Sequence, residues 1–137
     1  MTRSARLALA SGCLAAALGC TRATPANALL LCQDLVGQFT AKMECVQVQK
    51  EMVANHDARA IDAAVLRDTA DGGATRHFAV VLLFLRPEDV DAYAKEKEGG
   101  ALTSVQGRKG RVVVHGNKDA LSLQEWAALE RRLQAYR

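Results

Sequence analysis

Aromatic side chains are scarce: Phe, Tyr and Trp make up 4% of the 137 residues. A core must therefore be filled by Leu, Val and Ala. The chain has no C-x-x-C, no H-x-x-x-H, no G-x-S-x-G and no glycine loop ending in K-[ST]. Those absences exclude the usual redox pair, helical metal site, nucleophile elbow and P-loop. No internal repeat or low-complexity stretch follows the first 19 residues. Charge of one sign is also missing. Taking Arg3 and Arg6 from the 18 basic residues leaves 16 against 15 acids. That balance gives no global argument for binding nucleic acid.

The length fits one domain, and half of the residues are apolar, an ordinary globular composition. The N-terminus departs from it. Residues 1–6 carry two arginines and no acid, and residues 7–18 (LALASGCLAAAL) are apolar or small. This is the layout of a secretory leader. The run is too short to span a bilayer, which needs about 20 apolar residues.

Two processing sites compete. Ala17-Leu18-Gly19-Cys20 resembles the lipobox of bacterial lipoproteins, with Ala17 where that pattern prefers Leu and Leu18 where it prefers a small residue. The resemblance implies a leader over 1–19, lipidation of Cys20, a tether over 20–28 and a body over 29–137. Its rival is Ala26-Asn27-Ala28, where cleavage would release a chain without an anchor. Either way the chain is expected to be exported, anchored to a membrane and facing the periplasm or the cell exterior, or soluble as a periplasmic or secreted protein.

Cys32 and Cys45 are the cysteines left to the body. In an oxidising compartment their default is a disulfide. On one continuous helix, however, 13 residues would separate the two Cα atoms by about 19 Å, and a disulfide needs them within about 7 Å. The segment must then turn back near Gly37 or Thr40, or the thiols stay free or pair with another chain.

The patterning predicts an α+β fold with a small antiparallel sheet of three or four strands. Residues 29–54 read mainly as helix, with Leu35, Phe39, Met43, Val46 and Val53 at helical spacings. Residues 57–69 are ambiguous, leaning to a strand from Ala63 to Thr69 because Asp71-Gly72-Gly73 supplies a turn before the next strand. Residues 76–85 (RHFAVVLLFL) are the central strand, apolar on both faces and so covered on both. The C-terminal helices can supply one cover; the N-terminal helix or a partner must supply the other. Pro87 opens a helix over about 87–98 that Gly99 and Gly100 end. Residues 101–106 and 111–115 read as a hairpin around Arg108-Lys109-Gly110, with Val112 and Val114 inward and Val113 and His115 outward. Ser122 and Glu125 form a capping box, with Leu121 and Trp126 as a hydrophobic staple, for a last helix over about 122–136.

Few residues carry candidate chemistry. His56, His77 and His115 have no metal-site spacing, although His77 and His115 fall at ends of strands that an antiparallel pairing would bring together. No metal or other cofactor is expected. Arg108, Lys109 and Arg111, set among glycines, could hold an anion through charge and backbone N–H groups, or simply decorate a turn. Ser104 lacks a nucleophile's context, and Ser122 is used as a cap. Glu88, Asp89 and Asp91 suit a helix start. The resulting expectation is a small exported protein, held to the membrane through Cys20, with a binding or structural role. It would act through another envelope protein or a second copy of itself. The alternatives are a periplasmic metal-binding protein, an anionic-ligand binder or an enzyme.

Overall fold

The computed structural model describes residues 22–37, 43–68, 77–100 and 102–137. Its elements run α1 (Ala28–Val36), β1 (Met43–Gln47), α2 (Lys50–His56), β2 (Ala60–Asp68), β3 (His77–Phe84), α3 (Pro87–Glu96), β4 (Thr103–Lys109), β5 (Val112–Asn117) and α4 (Leu123–Gln134). The five strands form one antiparallel sheet in the order β1-β2-β3-β5-β4. The α+β class is as read from the sequence. The sheet has five strands where three or four were expected.

The extra strand lies inside the stretch read as one N-terminal helix. That helix stops at Val36, where Gly37 takes φ 61° and its N–H donates to the Gln33 carbonyl. Glycine adopts this left-handed conformation without steric cost. The chain returns as β1, with Cys45 opposite Leu66 and Val46 opposite Val65. Met43 and Val46 thus sit on a strand, and their helical spacing to Leu35 is accidental. The reversal brings the Cα atoms of Cys32 and Cys45 within 6.0 Å, and the two are disulfide-bonded.

β2 runs from Ala60, three residues earlier than expected, and pairs with β3 in the antiparallel sense of a hairpin. The Asp71-Gly72-Gly73 turn lies outside the described residues. β3 is the middle strand, and both of its faces are covered. Ala79, Val81 and Leu83 join Ala64, Leu66, Val112 and Val114 beneath α1 and α4. Leu82 and Phe84 join Ala63 and Val113 on the other face, beneath α2 and α3 through Val53, Val90 and Tyr93. The first cover is therefore shared by the N- and C-terminal helices. The second is supplied from within the chain by α3 and by α2, which the sequence reading had merged into its long helix. Val113, expected outward, is fully buried: an apolar alternation cannot mark an outer face when helices flank both sides.

The ends of the helices follow local rules. Asn27 caps α1, its side chain accepting from the Leu30 N–H at 2.9 Å. The capping box of α4 is complete. Ser122 Oγ accepts from the Glu125 N–H at 3.1 Å, and Glu125 Oε1 accepts from the Ser122 N–H at 2.9 Å. Leu121 is buried and Trp126 packs against the same cluster, while the indole N–H donates to the Lys118 carbonyl at 2.7 Å. α3 and α4 each stop two residues short of the expected ends, α3 at Glu96 and α4 at Gln134. The β4–β5 loop is only Gly110-Arg111. Gly110 has φ 57° and no non-glycine among the described residues has positive φ, the glycine-first pattern of a type II′ turn. Arg108 and Lys109, expected in the loop, belong to β4 opposite Val113 and Val112.

Candidate functional site

Three places concentrate polar groups. The first joins the two ends of the described chain. Arg22 and Tyr136 form a parallel bridge: the Arg22 N–H donates to the Ala135 carbonyl at 2.9 Å, and the Arg137 N–H donates to the Arg22 carbonyl at 2.8 Å. Both side chains converge on Asp34 of α1. The Tyr136 hydroxyl donates to one carboxylate oxygen and the Arg22 guanidinium to the other. Arg132 donates to the Asp34 carbonyl at 2.8 Å. Burial pushes the Asp34 carboxyl up, but Tyr136 and Arg22 outweigh it and hold the group below its ordinary value. Burial, reinforced by Asp34, raises the Tyr136 phenol. Further along, the N–H of fully buried Ala28 donates to Asp62 at 2.8 Å. Residues 22–28, expected as a tether from residue 20, are thus tied to three parts of the body.

The second is a cleft on one part of the α2–α3 face, beside the area that α2 and α3 cover. His56, Val65, Val80, Thr103, His115 and Asn117 line a cavity of about 200 Å³. Behind this lining, Tyr93 of α3 is buried and shares a 2.8 Å hydrogen bond with His115 Nδ1. His115 Nε2 is buried with no hydrogen-bond partner. Burial, helped by the Lys97 charge, lowers the imidazole below its usual range, so it is neutral near pH 7. Burial and the Asp57 charge push the Tyr93 phenol up to about 12. The Lys97 ammonium sits over the Tyr93 ring at 5.4 Å. Beside it, Arg59 bridges Asp57 and Glu96 at 2.8 Å each. The imidazole and the phenol are bonded to each other, and neither ring nitrogen of His115 is open to the cavity, so the pair holds that wall of the cleft in place.

The sequence had His115 as an outward strand-end residue. Its pairing with Tyr93 spans 22 residues and leaves no local signature. His77 stands in register with Arg67, one strand from His115, so the two do fall at the same end of the sheet. Among the described residues no group of three His, Cys, Asp or Glu is arranged to hold a metal ion.

The third place is the basic hairpin, whose three cations do not converge. Arg108 shares the face of its partner Val113, toward α3, where it pairs with Asp91 at 3.1 Å. Lys109 shares the face of Val112, toward α4, and Arg111 is exposed in the turn. α4 closes on this hairpin, with Gln134 Nε2 donating to the Arg108 carbonyl at 3.1 Å. Gly107 lies against Leu133 and the carboxylate end of Glu130, so α4 packs closely on this strand.

Among the described residues no helix is long and apolar enough to cross a membrane. Cys20 and the expected leader over 1–19 lie outside them. Comparison with family models, with curated proteins and with solved structures finds no match for this chain, so its geometry alone carries the functional argument.

Proposed function

We propose that this chain is an exported cell-envelope protein, anchored through a lipid on Cys20, whose domain binds another envelope component without transforming it. The observation that carries the reading is the integration of residues 22–28 into the body. Cleavage after Ala28 would remove the Arg22 bridge to Tyr136, the Asn27 cap and the Ala28 bond to Asp62 together. Loss of the cap alone typically costs about 1 kcal/mol. Processing at Cys20 leaves all three intact. The Cys32–Cys45 bond supports an oxidising destination, because cytosolic reductants keep such pairs open.

A binding role is supported by the cleft. Met52 and Leu102, both exposed, sit on segments that border it, one helical turn before His56 and one residue before Thr103. The best-placed imidazole, His115, has one nitrogen engaged by Tyr93 and the other closed to solvent. With neither nitrogen open to the cleft, the pair shapes its wall, and the exposed Met52 and Leu102 beside it favour recognition over catalysis.

Metabolic labelling with a fatty acid, followed by the intact mass of the native envelope form, tests the reading. The expected result is a labelled chain beginning at Cys20 whose label disappears in Cys20→Ala. A native chain beginning at Leu29, or one still carrying Met1 with both thiols reduced, overturns it.

A further inference from the structure

The fold brings the basic hairpin and the bridged segments at Arg22 and Tyr136 to the same end of the molecule. Gln134 ties the last turn of α4 to Arg108, and Tyr136, two residues on, bridges to Arg22. Around this pole lie Lys109, Arg111, Arg131 and Arg137. Arg111, Arg131 and Arg137 are exposed, and none of the four has an ion pair among the described residues. Of the acids nearby, Asp34 is used by Arg22 and Asp91 by Arg108, while Glu130 has one oxygen accepting from Gln134 and the other buried, away from the surface. Glu88, Asp89 and Asp91 belong to α3, on the opposite face of the sheet from α4, and Asp89 pairs with Arg86. Arg22 follows Cys20 by two residues, which span at most about 7 Å of extended chain.

We propose that this pole docks on the anionic phospholipid headgroups of the membrane that holds Cys20, so that the domain lies flush on the bilayer. The orientation rests on the lipid-anchor reading; the affinity of the pole for an anionic surface does not. The cleft opens beside Thr103 and Asn117, at the far end of the hairpin. Six residues of strand separate Arg111 from Asn117, about 20 Å. Docking therefore turns the cleft away from the lipid and toward whatever the protein meets.

The test uses the chain from residue 20 onward, which keeps every described element, with Cys20→Ser. Its sedimentation is compared on vesicles of pure phosphatidylcholine and on vesicles with one third phosphatidylglycerol. A basic residue near such a surface strengthens partition roughly fivefold. The expected result is binding to the anionic vesicles alone, lost in molar salt. Binding should weaken more than tenfold, by roughly that same factor per charge, in Lys109→Glu with Arg111→Glu and in Arg131→Glu with Arg137→Glu. Lys118→Glu, at the far end, should leave it unchanged. No binding to anionic vesicles at low salt, equal binding to both vesicle types, or an equal loss in Lys118→Glu overturns the proposal. If a variant misfolds by circular dichroism, the salt dependence of the parent chain decides alone. Fatty-acid labelling without vesicle binding would leave the anchor standing and sink the docking. Vesicle binding without labelling would do the reverse.

Discussion

The two faces of the sheet are built from the same strands but closed in different ways. The α1–α4 face is closed by partners far apart in sequence: Cys32 to Cys45 across a chain reversal, and Asp34 to Tyr136 across 102 residues. The α2–α3 face is covered by two short helices, α2 packed on β2 and α3 on β5 and β3. α2 has seven residues and one buried side chain, Val53. Local helices cover only what they can reach, and the cleft at His115 is what they leave open. Long-range links therefore stabilise one face, and the shortness of local cover opens a site on the other.

Core truncation should break the symmetry most. Leu83→Ala beneath α1 and α4 is expected to cost about 4 kcal/mol, near the upper part of the range for buried leucines. Leu82→Ala on the opposite face should cost about 1 kcal/mol less, because side chains there can relax into the adjoining cleft. Equal losses in urea denaturation would mean that the two faces are equally rigid.

Removing the bridge comes next. Cys32→Ser with Cys45→Ser should lower stability by about 3 kcal/mol through the freedom returned to the unfolded chain. The mutant should keep its Tyr93–His115 contact, since that pair lies on the other face. NMR of the His115 ring would report any coupling between the faces.

The smallest effect is a pH response confined to the cleft face. The His115 imidazole is lowered from 6.5 in the folded chain, so the unfolded chain binds the proton more tightly. Its contribution is complete above pH 6.5 and is lost as the pH falls through the lowered folded value. Melting temperature should therefore begin to drop below about pH 6.5, and His115→Gln should flatten that step. A second loss, below the carboxylate value of 3.8, belongs to Asp34 and Asp57, both held low; His115→Gln should leave it untouched. A first step that survives in His115→Gln would assign it to another group.

Local chemistry determined several features on its own. The Ser122–Glu125 box, the Pro87 start of α3 and the two-faced apolar run of β3 depend on neighbours within one or two turns, and all were legible in the residues. So was the demand that a Cys32–Cys45 bond bend the chain between them. Tertiary structure decided the rest. Whether Met43–Gln47 became helix or strand depended on β2 offering an edge. Whether Val113 faced water depended on α3 lying over it. Whether His115 met Tyr93, or Arg22 met Tyr136, depended on contacts between segments 22 and 114 residues apart, which no local pattern encodes. Side-chain periodicity reports which positions want burial; only the assembled chain supplies the surface that buries them.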